Sequence, residues 1–428
     1  MRSRLRHKFN STFGAVHSSR NYRIYLIGQS ISLCGTWMQT VAQAWLVLKL
    51  TGSGTALGFV VALQFLPVLI IGPWGGVVAD RMSKRKLLLM TQVAFGGFAL
   101  LLGVLTATGV VTLWMVYAVA LCFGCVTALD NPARQTFVLE MVGREHLPNA
   151  VTLNTVNINM ARVIGPALAG ITIGLIGIAP CFFVNAASYI AVIVALLMMN
   201  KGELRALPAQ PRAKGQLREG FQYVWSTPRL RTPLVMMAVV GTLAYEFQVI
   251  LPLVAKYTFN GNAATYGIMT GAMGLGAVIG GLFTASRQRT GDAPLIQATL
   301  VFGALIITAA LMPTLPVMVL LLVGVGAGSV TFLARANSTM QLRADPVFHS
   351  RVMALWAVAF LGTTPIGGPI IGWIGQNIGP RFGMIVGGTA TVLAGIWGWY
   401  MLDVRKTRTA TAAPMVATSP QAAEVPAS

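Results

Sequence analysis

Apolar stretches of about 20 residues recur along almost the whole sequence. Each is long enough to cross a ~30 Å hydrocarbon core as a helix. Backbone groups in lipid must pair within their own segment, so such stretches are helices rather than irregular chain. A spanning barrel would instead show short segments of alternating polarity, and this sequence has none of that pattern. Only 10% of the 428 residues are charged, against roughly a quarter in a soluble domain. The chain therefore reads as an all-α membrane protein. Hydropathy places spans near 24–48, 55–79, 87–107, 111–130, 150–176 and 180–200. A second set lies near 233–256, 264–286, 294–312, 316–334, 351–375 and 381–402.

Six spans precede, and six follow, a polar and basic connection. The expected organisation is an N-terminal six-helix bundle (1–200), a central loop (201–231), a C-terminal bundle (232–403) and an Ala/Thr/Pro-rich disordered tail (404–428). A short surface helix is expected near 215–225. The net charge of +20 would suggest a nucleic-acid partner in a soluble protein. Here nearly all of it sits in the termini and alternate short connections. The facing connections hold only Lys49, Lys256 and Arg381, and Arg162 lies inside a span. By the positive-inside rule both termini and the central loop are cytoplasmic. No cleavage site follows the basic start, so the first span is expected to be retained.

Four cysteines are too few for a disulfide framework. Cys122 and Cys125 share a helix face, where packing is their ordinary role. No histidine has metal-ligand spacing. No phosphate-binding G-x-x-x-x-G-K-[ST] loop is present, and no nucleophile–base pair lies at mid-depth. The glycine-dense stretch Gly271–Gly281 lies in an apolar span and reads as helix packing. No cofactor, metal or catalytic residue is expected.

The halves resemble each other weakly. GPALAG (Gly165, Pro166, Gly170) in span five has a counterpart in GPIIG (Gly368, Pro369, Gly372) in span eleven. Both read as helix-packing motifs. Two bundles related by an axis along the membrane normal form a transporter architecture with cargo bound between them.

The loop between spans two and three reads GVVADRMSKR. Gly76, Asp80, Arg81, Lys84 and Arg85 match the loop written G-x-x-x-D-R-x-G-R-[RK], with Ser83 in place of the second glycine. This resembles the signature of the major facilitator superfamily. The resemblance implies twelve spans and a gating loop that latches the halves in the outward-open state. Asp80 would face the positive N-terminal end of span eleven. The matching stretch of the second half, GGLFTASRQR, lacks the Asp-Arg pair. Residues 130–170 are similar to the enterobactin-exporter-like branch of efflux proteins. Arg134, with Asp80 and Asp130 as possible partners, belongs to the gating set, and Arg162 before Gly165–Pro166 resembles the exporters' Gly-Pro motif.

Glu246 is the one acidic residue well inside a span. Ionisable groups there are costly and mark functional positions. Glu246, Arg162 and Asp130 are the proton-coupling candidates. Gln29, Ser32, Thr36, Gln39 and Gln43 recur at steps of three and four, on one face of span one. Cavity candidates are Gln29, Thr36, Trp37, Gln39, Gln43, Asn157, Tyr245 and Glu246. The expected function is proton-coupled export of a small organic molecule, drug-like compound or siderophore, by alternating access. A lipid or lysolipid transporter of the same fold is the alternative, and import a further one. The expected partners are cargo, protons and the lipid bilayer, with no nucleic acid. The expected form is a monomer in a bacterial cytoplasmic membrane.

Overall fold

Serines start the first two long helices and a left-handed glycine ends one of them. The computed structural model describes residues 14–205, 216–287, 291–345 and 347–411, side chains excepted at 73, 76, 77, 79, 80, 216–218, 350 and 403–411. After a short turn, α1 (Gly14–Ser18), comes α2 (Arg20–Thr51), capped by the Ser19 hydroxyl accepting from the Tyr22 N–H. Gly52 closes α2 at φ 64, a conformation that favours glycine. Ser53 then caps α3 (Gly54–Arg81) by accepting from the Ala56 N–H. There follow α4 (Lys84–Ala107), α5 (Leu113–Ile176), α6 (Ala179–Leu197) and α7 (Gln216–Ser226). The second half holds α8 (Pro228–Leu243), α9 (Phe247–Leu253), α10 (Ala263–Arg287), α11 (Asp292–Leu311) and α12 (Leu315–Arg343). It closes with α13 (His349–Leu361), α14 (Thr364–Asn377) and α15 (Pro380–Thr411).

Ten helical segments among the described residues are long and apolar enough to cross a membrane. One of them, α5, has 64 residues and turns at Gly143, whose φ of 73 breaks the helix into two limbs. The more polar α2 has 32 residues, about 48 Å at 1.5 Å per residue. The order is consistent with twelve crossings. The stretch 131–149, expected to be largely a connection, is helical on both sides of Gly143. Helix α15 continues to Thr411, eight residues into the expected tail; residues 412–428 lie outside the described ones.

Large apolar side chains such as Trp74, Leu175 and Leu320 are exposed on the outside of the bundles, as a lipid-facing surface requires. The halves meet along two seams, α3 against α14 and the second limb of α5 against α10. A Cβ on Gly58 would fall on the Gly368 backbone, and one on Gly372 would fall on Gly54. Only glycines permit this approach. The α5–α10 seam runs from Gly170 against Ala264, past Pro166 against Gly267, to the Arg162 carbonyl against Gly274. These contacts lie between mid-depth and the face opposite the termini. Several hydrogen bonds between the halves lie on that far face. Lys256 Nζ donates to the Leu48 carbonyl (2.8 Å), and the Tyr257 hydroxyl to the Gly52 carbonyl (2.7 Å). Gln376 Oε1 accepts from the Ser53 and Thr55 hydroxyls and the Thr55 N–H. The molecule is thus closed on the far face.

Candidate functional site

Two spanning helices of the second half break at one depth. The first is interrupted between Leu243 and Phe247, the second between Leu361 and Thr364. Freed carbonyls in such a break need protein cover. Thr242 O lies against Gly367 and Leu243 O against Gly387. Glu246 sits at the start of α9 and is 2% exposed. A Cβ at Gly367 would stand 2.9 Å from its Oε1, and one at Gly368 would stand 3.5 Å from its Oε2. The carboxyl therefore packs against the first turns of α14, the positive end of that helix. The Thr364 side chain hydrogen-bonds it, while Oε1 has no hydrogen-bond partner. Gly368 also faces Gly58 of the other half, so the acid lies one residue behind the seam.

Arg162 lies on the second limb of α5, half-buried, its guanidinium 4.9 Å from the centre of the Trp37 ring on α2. Tyr245 of the other half is within electrostatic range of it. Arg162 Nε is sealed from solvent and has no hydrogen-bond partner. Asn157 Nδ2, on the same limb, is in the same condition. The Tyr245 hydroxyl is engaged, donating to the Ser329 carbonyl at 2.7 Å.

Between the halves, a small cavity of about 40 Å³ is lined by Thr36, Gln39, Thr40 and Gln43 of α2, Gln64 of α3 and Gln248 of α9. Ala44, Leu57, Val60, Val61 and Phe123 complete the wall. The lining is amide, hydroxyl and hydrocarbon, without a charge. Gln39 is fixed from behind, its Oε1 accepting from Asn185 Nδ2 at 2.6 Å.

Other expected site residues are placed elsewhere. Gln29 does not face this cavity; it accepts a short hydrogen bond from Arg134 Nη1. Arg134 reaches the Tyr25 hydroxyl (3.1 Å) and grips Asp130 Oδ2 through Nε (2.8 Å) and Nη2 (2.7 Å). Asp130 Oδ1 accepts from the Thr91 hydroxyl and Gln92 Nε2. Four donors thus converge on the two oxygens of Asp130. Arg134 pairs with Asp130, and the Asp80 side chain lies outside the described ones.

At the connection between α3 and α4, Lys84 pairs with Glu140 at 3.5 Å. Arg85 Nε donates to the Leu196 carbonyl at 2.6 Å, capping the end of α6. Both tie the loop to its own half, while Arg81 is exposed. Ser83 has φ −63, backbone open to any residue, so the missing glycine costs nothing here. Gly76 and Asp80 lie within α3, and their side-chain surroundings are outside what the structure describes. Gly165 packs against Trp37 and the Cys34 carbonyl of α2. Pro166, Gly170, Gly368, Pro369 and Gly372 all lie on the two seams.

Sequence reasoning missed Thr40, Gln64 and Gln248 in the cavity and Lys256, Tyr257 and Gln376 in the far-face closure. Lys256 had a signal: it is one of three cations on the poorly charged face.

The chain matches the family described as transmembrane secretion effector over residues 11–426. It is 26% identical to the uncharacterised MFS-type transporter YfiS of Bacillus subtilis over 50% of this chain, and that match spans only 52% of the relative's length. It is 24% identical to the enterobactin exporter EntS of Salmonella choleraesuis, over 88% of this chain and 90% of the relative. A crystal structure of a bacterial homologue of the human lysosomal transporter Spinster, inward-facing and unoccupied, superposes with TM-score 0.72 at 13% identity. It covers 90% of this chain and 97% of that one, and shows the fold.

Proposed function

The chain belongs to the transmembrane secretion effector family of the major facilitator superfamily, and from that premise we propose that it is a proton-coupled exporter of a small organic molecule. It is a multi-pass membrane transporter, not an enzyme. In our reading it is a monomer of a bacterial cytoplasmic membrane with both termini in the cytoplasm, as its basic connections favour. The far face is then the outer face, and the closed seams describe an inward-facing state.

The observation that carries the reading is the position of Glu246. It is buried at a helix break and packed on Gly368, which closes the outer seam against Gly58. An ionised carboxylate with an unpartnered oxygen in a sealed site is costly. The two protonation states of Glu246 therefore tolerate the closed seam differently. A proton taken from outside favours closure. Its release to the cytoplasm, with cargo bound in the glutamine-lined cavity, favours opening outward. EntS, similar over 88% of this chain, is an exporter, and this supports the direction.

The test is efflux from energised cells loaded with dyes, antibiotics and catecholate siderophores. We expect at least one compound to leave faster with the protein than with empty vector, and a protonophore to abolish the difference. Accelerated efflux that survives the protonophore would exclude proton coupling.

A further inference from the structure

We propose that Arg162 is the recognition point for an anionic group on the cargo, a carboxylate or phosphate bound between its guanidinium and the opposite half. The inference rests on the transport reading and adds the charge of what is carried.

A guanidinium inside a spanning helix needs compensation, because an unpaired buried charge is costly. Five other cations of the bundles have it. Arg134 is held by Asp130, Lys84 by Glu140 and Arg343 by Asp292. Arg85 and Lys256 cap backbone carbonyls. Arg162 alone of this group has neither an ion pair nor a hydrogen bond among the described residues, and its Nε is sealed from water. What it has is the Trp37 ring at 4.9 Å, which supports a cation without neutralising it. No Asp or Glu of the described residues faces it, and its electrostatic neighbour Tyr245 has its hydroxyl committed to Ser329.

The residues around Arg162 are sequence neighbours of the cavity wall. Trp37 adjoins Thr36 of the cavity wall in sequence, and Tyr245, in the break before α9, precedes Gln248 of the same wall by three residues. The guanidinium is carried by the first half and Tyr245 by the second, so a ligand at Arg162 touches both. The planar fork of an arginine matches the two oxygens of a carboxylate or phosphate. The neutral lining then holds the rest of the molecule by hydrogen bonds.

The test uses the purified full-length protein in detergent, titrated with benzoate and phenyl phosphate and with uncharged benzamide, reading tryptophan fluorescence and melting temperature. We expect both anions, and not benzamide, to bind and stabilise the wild type. Arg162→Gln should weaken anion binding by about tenfold or more, the scale of a charge-assisted pair. Arg162→Lys should recover part of it. Trp37→Phe, which keeps a ring under the guanidinium, should bind nearly as the wild type does, and Trp37→Ala several-fold more weakly.

The ligand-free melting temperature of each variant separates misfolding from lost binding. A second arm compares phosphatidylglycerol with phosphatidylcholine nanodiscs. Stabilisation by phosphatidylglycerol alone, lost in Arg162→Gln, keeps the anion site and makes a lipid phosphate its source. Benzamide binding as well as benzoate, Arg162→Gln binding like wild type, or no anion response in either arm each overturns the inference. Because binding is read without transport, such a failure leaves the efflux reading standing or falling on its own experiment.

Discussion

The carboxyl of Glu246 lies against Gly368, with Oε2 3.5 Å from where a Cβ there would stand. The backbone of Gly58, across the seam between the halves, borders the same spot, its carbonyl oxygen 2.9 Å from that Cβ position. One residue thus separates the buried acid from the closure of the outer face. A side chain at Gly58 has no room while the seam is shut. We expect Gly58→Val to hold the halves apart on the outer face. A single cysteine at Ala56, in a protein whose four cysteines are replaced, should then react with an impermeant maleimide about tenfold faster. An unchanged rate contradicts a seam that must separate.

Lys256 and Tyr257 of one half bond the last carbonyls of α2, where a cation also complements the helix dipole. Partial exposure limits such a bond to about 1 kcal/mol. Lys256→Met should therefore raise outer-face labelling of the same cysteine by about fivefold and leave the melting temperature within about 2 °C. Labelling equal to the wild type means the bond does not contribute to closure.

Asp130 and Arg134 form one buried network with Tyr25, Gln29, Thr91 and Gln92. Removing the acid leaves the guanidinium without its ion pair. We expect Asp130→Asn to destabilise the protein by about 3–5 kcal/mol, read by thermal unfolding in detergent. The double variant Asp130→Asn/Arg134→Gln should recover part of the loss. Full stability of the single variant contradicts the structural role.

Gln248 and Gln64 offer amides to the cavity from opposite halves. Gln248→Leu keeps the volume and removes about 1 kcal/mol of hydrogen bonding. We expect the KM for a transported polar compound to rise about fivefold with melting unchanged. An unaltered KM places the cargo elsewhere.

Much of the fold was legible because a lipid environment forces long apolar helices. The breaks were less so. In the eleventh span, Gly362 and Pro365 mark the interruption. In the seventh, the break at Ala244–Glu246 has no glycine or proline; its freed carbonyls depend on Gly367 and Gly387 from other helices, a tertiary fact. The polar stripe of span one shows the same limit. Helical spacing puts Gln29, Thr36, Gln39 and Gln43 on one face, but depth divides them. Gln29 meets Arg134 within its bundle, and the other three reach the cavity. Arg162 and Glu246 stand out in the sequence as lone charges in apolar spans. That neither pairs with the other emerges only from the packing.

The decisive measurement is transport by Glu246→Gln in proteoliposomes, using a compound the efflux screen identifies. Two modes are compared: uphill movement driven by an imposed proton gradient, and exchange of labelled for unlabelled compound without a gradient. If Glu246 carries the coupling proton, the variant loses gradient-driven transport and keeps exchange. Gradient-driven transport at the wild-type rate would contradict that role.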